Sequence, residues 1–151
     1  FTEPITFEGQ AAIWLEHRAR SQPLLKVYPF PWDAKHGVLD YRPLLEAMVE
    51  DRLRGEAVGV MARAFHRSVA EALFQSVQRL GEAHGIETLV LSGGVFQNAL
   101  LLSDVRERFA KSGIDVWIPH QVPANDGGIS LGQAALAATV MERAAVEKEG
   151  T

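Results

Sequence analysis

Cysteine is absent from the 151 residues of this chain. Its absence excludes disulfide bridges, thiolate metal sites and cysteine nucleophiles within the sequence. No apolar run approaches the roughly 18 residues that a membrane-spanning helix needs, and the N-terminus lacks the basic, apolar and small-residue order of a secretory signal. We therefore expect a cytoplasmic protein that does not cross a membrane.

Positive charge is also sparse. Lys and Arg total 15 against 19 Asp and Glu, and the formal net charge is -4. Because no Lys/Arg cluster exceeds a few residues, binding to nucleic acid by phosphate neutralisation is not expected. The five histidines show no His-x-x-x-His spacing of a metal site, and only His120 lies near a candidate site. They are His17, His36, His66, His84 and His120.

The pattern of apolar residues predicts an α/β protein rich in helix. Amphipathic helices are expected over residues 7–20, from Asp40 to Leu53, and over residues 56–81, the last with a single apolar stripe. A small hairpin is expected within residues 24–41. The second half reads as strand (87–91), helix to Gly113, strand (114–118) and an Ala-rich helix to about residue 148, which is the order of a parallel α/β unit. The first of these strands is apolar enough to be covered on both faces.

The first candidate site is the turn of residues 92–98, between a buried strand and a helix. Gly93 and Gly94 let a ligand approach the backbone closely, and the following helix would offer free N–H groups. The Asn98 amide can donate and accept hydrogen bonds at once. These properties suit a nucleoside or a phosphate. The alternative is a tight turn with Asn98 on the surface.

The second candidate site is the turn of residues 123–128, which follows the second strand and should open on the same edge of the sheet. Asp126 can serve as a hard oxygen ligand for a divalent cation, with Gly127 and Gly128 keeping its surroundings uncrowded. The alternative is that Asn125 or Asp126 is simply a helix cap.

These turns resemble a known family. Residues 89–98 (LVLSGGVFQN) and 123–134 (PANDGGISLGQA) are similar to motifs of the HypF hydrogenase-maturation carbamoyltransferases. Residues 6–12 (TFEGQAA) and the pair Phe65-His66 look like the same family in the same order. The chain begins without an initiator methionine, and we expect all 151 residues to form one domain fragment, the C-terminal lobe of a larger nucleotide-binding domain.

The resemblance implies the helix-rich half of an actin/Hsp70/sugar-kinase-like (ribonuclease H-like) domain, similar to the universal tRNA threonylcarbamoyl-transfer proteins, with a short parallel sheet. It implies that Gly93, Gly94 and Asn98 line an adenylate site and that Asp126 completes a divalent-metal site whose other ligands lie outside this chain. It also implies a function. ATP and carbamoyl phosphate would yield carbamoyl-adenylate, and the carbamoyl group would pass to the C-terminal cysteine of a HypE-type partner.

On this interpretation the isolated fragment is expected to be inactive, and the sequence identifies no general base. Two alternatives remain open. One is a lobe of a sugar- or acetate-type kinase of the same superfamily, and the other is a non-catalytic module that binds nucleotide or docks a protein.

Overall fold

The computed structural model describes residues 4–149, with the side chains of residues 4–141. Within this range the chain forms five α-helices and two pairs of short strands. In chain order they are α1 (Gln10–Arg20), β1 (Trp32–Asp33), β2 (Val38–Leu39), α2 (Arg42–Leu53), α3 (Val58–His84), β3 (Thr88–Val90), α4 (Ala99–Phe109), β4 (Asp115–Trp117) and α5 (Ile129–Glu149). The helix-rich α/β prediction is confirmed.

The two strands of the second half pair in parallel, as their order along the chain predicts. Leu89 of β3 lies opposite Val116 of β4, and Val90 lies opposite Trp117. The prediction that β3 is covered on both faces is wrong for this chain. Val90 is 63% exposed and Trp117 is 62% exposed, whereas Leu89 is half-buried. Packing therefore covers one face of the strand pair, and an apolar face is left open.

Helix α3 is the centre of the first part of the molecule, and α1, α2 and α4 pack against it. Its buried positions are mostly small, including Ala62, Ala64, Ala70 and Ala72, so neighbouring backbones approach closely. At Gly59 an added Cβ would lie 2.9 Å from the carbonyl oxygen of Arg18 in α1. The predicted single apolar stripe is too narrow, because a helix with neighbours on several sides buries more than one face.

Aromatic and aliphatic side chains join α2 and the extended segment before the hairpin to α3. Tyr28, Leu44 and Ala64 form a buried cluster, against which Phe30 and Phe65 pack. The backbone N–H of Tyr28 donates to Ser68 Oγ at 2.7 Å. This bond gives a buried donor its partner, so the segment is tied to α3 although it has no regular secondary structure.

The buried carboxylate of Asp51, near the end of α2, forms ion pairs and hydrogen bonds with basic and hydroxyl side chains. Its Oδ2 accepts a hydrogen bond from the Tyr28 hydroxyl at 2.6 Å and pairs with Lys26, and its Oδ1 accepts from Arg54 at 2.8 Å. The Lys26 ammonium, then the Tyr28 hydroxyl and the Arg54 guanidinium, hold the pKa of Asp51 far below its ordinary value. The ionised carboxylate is therefore favoured by the folded state.

We expect Asp51→Asn to destabilise the chain most near neutral pH and progressively less as the pH falls below about 4, the ordinary aspartate pKa. Because folding lowers the pKa of Asp51, the carboxylate stabilises the fold above that value, and this contribution is lost as the pH falls toward the folded-state pKa. Urea unfolding midpoints of parent and variant across this range measure the effect. A gap that stays constant with pH would contradict it. Asp115→Asn, at an exposed position, is the control.

Ion pairs connect α3 to α4. Arg63 binds Asp104 through two hydrogen bonds of 2.6 and 2.8 Å, and Asp104 is only 2% exposed. Arg67 binds Glu107 at 3.0 Å, nearer the surface. A bidentate arginine–carboxylate pair has a narrow geometry, so the first pair specifies how the two helices lie against each other.

The chain divides into two compact units. One runs to Val90 and includes Asn98–Trp117, and the other comprises Leu91–Gln97 with the chain from Ile118 onward. Gly93 and Asp126 therefore belong to the second unit, whereas Asn98 belongs to the first. None of the helices in the described part of the chain combines the length and apolarity needed to cross a membrane.

Candidate functional site

The first glycine-rich turn follows β3 directly. Gly93 has a φ of +100°, a conformation that residues with a Cβ rarely adopt. A short 3-10 turn, Gly94–Gln97, comes next. The space at Gly94 is open, since an added Cβ would meet no heavy atom closer than 4.0 Å. Gly93 is thus needed for the backbone path, whereas Gly94 leaves room beside the turn.

The second glycine-rich turn is held by Asn125. Its Oδ1 accepts a hydrogen bond from the N–H of Gly127 at 3.0 Å, and its backbone oxygen accepts from Gly128 at 2.9 Å. At Gly128 an added Cβ would lie 2.6 Å from the carbonyl oxygen of Pro123, which no side chain could tolerate without a backbone shift. The turn therefore depends on its glycines for space as well as for conformation.

The two turns meet within the second compact unit. The N–H of Gly93 donates a hydrogen bond to the carbonyl oxygen of Ala124 at 2.6 Å. The sequence motifs around these two residues are separated by about thirty positions along the chain, and this bond brings their backbones together. The two turns are therefore adjacent, while their opening on one edge of the sheet stays a prediction. The proximity of the Asn98 and Asp126 side chains, which belong to different units, stays a prediction.

Asp126 is not the cap of its turn. The side chain that caps it is that of Asn125, while Asp126 is exposed and its carboxylate has no hydrogen-bond or ion-pair partner among the described residues. Of the two alternatives that the sequence left open for Asp126, the cap is excluded. Its oxygens are therefore available to an external ligand.

The described residues contain no group of three or more potential metal ligands. A divalent cation takes several oxygen or nitrogen donors, and Asp126 supplies one carboxylate. The described part of the chain therefore does not by itself supply a complete metal site. His120, the histidine nearest to the second turn in sequence, is exposed.

Asn98 begins α4, and its amide is already engaged inside the protein. Its Oδ1 accepts a hydrogen bond from the N–H of Leu101 at 2.9 Å, which caps the helix. Its Nδ2 donates to Nε2 of His66 at 2.8 Å. With respect to the described residues, one N–H and one oxygen lone pair remain free on this half-buried side chain. Asn98 is therefore not a surface residue without partners, and only part of its hydrogen-bonding capacity is available to a ligand.

A second side chain of this protein also accepts hydrogen bonds from the N-terminus of α4. Glu16 of α1 is only 7% exposed, and its Oε1 accepts from the N–H of Leu100 at 3.1 Å. Burial raises the pKa of Glu16, but Arg20 and the N–H groups of Leu100 and Ala99 lower it by more, so the carboxylate is favoured. The expectation that this helix end offers free N–H groups to a phosphate is wrong, because an internal carboxylate and the Asn98 side chain occupy them.

Sequence reasoning missed two residues of this region, Glu16 and His66. Glu16 lies in an ordinary charged helix sequence, and no local signal marks it. His66 follows Phe65 within a motif of the resemblance, which is the one signal that could have singled it out. Nearness along the chain to the second turn favours His120 instead, whereas His66 is the histidine that the structure places against Asn98.

Comparison with known proteins places these two glycine-rich turns in a defined class. A family described as "Carbamoyltransferase, Kae1-like Domain, second subdomain" matches residues 1–133. A tRNA N6-adenosine threonylcarbamoyltransferase of Sorangium cellulosum is 30% identical over 83 residues, which is 55% of this chain. Fold and turns thus define a Kae1-like carbamoyltransferase subdomain.

Closer relatives specify the family further. The carbamoyltransferase HypF of Synechocystis sp. is 36% identical over 132 residues, covering 85% of this chain and 16% of the relative. That of Rhodobacter capsulatus is 36% identical over 137 residues, covering 91% of the chain and 17% of the relative. The chain belongs to the HypF carbamoyltransferase family, and it spans about a sixth of the length of these relatives.

Solved structures agree. A crystal structure of full-length HypF, described as the phosphate- and nucleotide-bound form, superposes with a TM-score of 0.81 at 35% identity over 91% of this chain and 18% of that one. The HypF of T. kodakarensis superposes with a TM-score of 0.78 at 23% identity, covering 90% of this chain and 17% of that one, and shows the fold alone. These likenesses confirm the actin-like, kinase-type domain class that the sequence predicts.

Proposed function

We propose that this chain contributes one side of a carbamoyl-transfer site in a longer protein. The family membership and the bond between Gly93 and Ala124 carry the proposal, because that bond joins the two long motifs by which the chain resembles its relatives. Gly93, Gly94 and Asn98 would line an adenylate site. The nucleotide-bound state of a relative with 35% identity supports nucleotide binding.

The reaction we propose uses ATP, carbamoyl phosphate and one water molecule to form carbamoyl-adenylate, with release of pyrophosphate and phosphate. The thiol of a C-terminal cysteine on a HypE-type partner then attacks the carbamoyl carbon. A C–S bond forms, the bond from carbon to the phosphate oxygen breaks, and AMP leaves. The absence of cysteine from this chain is compatible with an acceptor thiol on a partner. The site of action would be the cytoplasm.

We propose that Asp126 supplies one ligand of a divalent cation and that the others lie outside this chain. The exposed, unpartnered carboxylate beside a turn that has no room for further side chains supports this role. When bound, the cation would act as a Lewis acid and template. What this chain itself would contribute is positioning, because backbone turns can hold a ligand without side-chain rearrangement. We also propose that the isolated chain is inactive, because it is a single domain fragment that supplies only one of the residues that coordinate the cation.

The test is a transfer assay with the full-length protein, ATP, carbamoyl phosphate and a partner whose chain ends in cysteine. We expect the partner to gain one carbamoyl group, detected by mass spectrometry, only when both substrates are present. Conversion of ATP to ADP with phosphorylation of a sugar or acetate would instead indicate a kinase. Adenylate binding without consumption of carbamoyl phosphate would indicate a non-catalytic module.

A further inference from the structure

We propose that His66 is a positioning residue that fixes the Asn98 amide in the orientation in which it meets an adenine nucleotide. The inference rests on the proposed function, because it takes Asn98 to be a nucleotide-binding residue. His66 is buried and would not touch the nucleotide itself. It would act through the hydrogen bond of 2.8 Å between its Nε2 and Nδ2 of Asn98.

The two bonds of the Asn98 amide select a single orientation. The oxygen accepts from Leu101 and the nitrogen donates to His66. If the amide were rotated by half a turn, its NH2 group would face the N–H of Leu101 and its oxygen would face a bare ring nitrogen. Both contacts would be repulsive. The directions in which the free N–H and the free lone pair of Asn98 point are therefore fixed.

His66 can serve in this way because it is itself held in place. Its Nδ1 lies 2.7 Å from the carbonyl oxygen of Ala62, one turn earlier in α3, and the residue is 3% exposed. A carbonyl oxygen only accepts hydrogen bonds, so Nδ1 carries the proton and Nε2 is the acceptor. The ring thus offers Asn98 a fixed acceptor rather than a rotating one.

Two structural tasks that this bond could serve are already performed by other contacts. The capping of α4 requires only the Asn98 oxygen, and α3 and α4 are already joined by the bidentate pair of Arg63 and Asp104. Because Glu16 occupies the N–H of Leu100, the helix end does not attract a phosphate there. The neutral, oriented amide of Asn98 is what remains to contact a ligand at this point.

The experiment compares AMP affinity in the full-length protein by calorimetry. His66→Leu removes the acceptor while keeping the site apolar and filled, and we expect AMP to bind about five- to tenfold more weakly, the usual effect of one hydrogen bond. His66→Gln can place an amide oxygen near the position of Nε2, and we expect its affinity within about twofold of the parent. His84→Leu, at an exposed position of the same helix, is the matched control and should bind as the parent does.

A double variant separates positioning from general damage. If His66 acts only through Asn98, the combination of His66→Leu with Asn98→Ala should bind AMP no more weakly than Asn98→Ala alone. Additive losses would overturn the inference, as would equal affinities of His66→Leu and the parent when Asn98→Ala is impaired. Parent-like affinity in Asn98→Ala would show instead that the proposed nucleotide role of Asn98 is wrong, and the inference would fall with it. If His66→Leu does not fold, His66→Met takes its place in the same comparison.

Discussion

Alanine in place of Asp126 in the full-length protein is expected to lower the rate of carbamoyl transfer by at least about 100-fold, since even residues that support a metal ligand indirectly often cost about 10- to 100-fold when replaced. The fold should be unaffected. Asp126 is exposed, it makes no hydrogen bond or ion pair with the described residues, and Asn125 performs the capping of its turn. The rate of partner carbamoylation and the thermal unfolding midpoint are the two measurements.

Asp115→Ala is the matched control for this prediction. Asp115 is also an exposed aspartate, and it lies in β4, shortly before the second turn. It should retain parent-like transfer. Undiminished transfer in Asp126→Ala would remove this carboxylate from the chemistry. Bound metal, measured by elemental analysis of the purified full-length variants, should fall in Asp126→Ala and not in Asp115→Ala.

The largest effect on stability is expected at Asp104. Replacing it with alanine should destabilise the chain by about 3–5 kcal/mol, the range found when one partner of a buried ion pair is removed. Its partner Arg63 has a side chain that is only 13% exposed and would lose both carboxylate hydrogen bonds. Urea unfolding, with the slope checked for two-state behaviour, measures the change.

Glu107→Ala, on the same helix, tests whether burial is the cause. Glu107 also pairs with an α3 arginine, Arg67, but its side chain is 66% exposed. Water screens such a pair, and we expect a loss of about 0–1 kcal/mol. Similar losses in the two variants would show that burial is not the cause of the effect at Asp104.

Local sequence is sufficient for most of the secondary structure. The helix predicted over residues 56–81 is α3, which ends at His84 because Gly85 takes the left-handed conformation with a φ of +66°. The helix that connects β3 to β4 predicts parallel pairing, and the two strands do pair in parallel. The two long motifs point to the same family that the comparisons establish. The periodicity of apolar residues, the positions of glycines and the family motifs can all be recognised within short stretches of sequence.

The residues that surround the candidate site cannot be predicted from local sequence in this way. The sequence allows either Asn125 or Asp126 to cap the second turn, and only the backbone geometry assigns the cap to Asn125. It also suggests a free helix end at α4, which Glu16 occupies. Apolar content predicts that β3 is covered on both faces, yet Val90 remains exposed. In each case the outcome depends on which other segment comes near.

The sequence by itself determined the helices, the parallel strands, the two glycine-rich turns and the family. Tertiary structure decided which side chains are engaged in hydrogen bonds and ion pairs within the protein. Glu16 and Leu100 are 84 positions apart, Arg63 and Asp104 are 41 apart, and His66 and Asn98 are 32 apart. Backbone preferences act between near neighbours in the chain, whereas a hydrogen bond depends on a distance in space that folding alone sets.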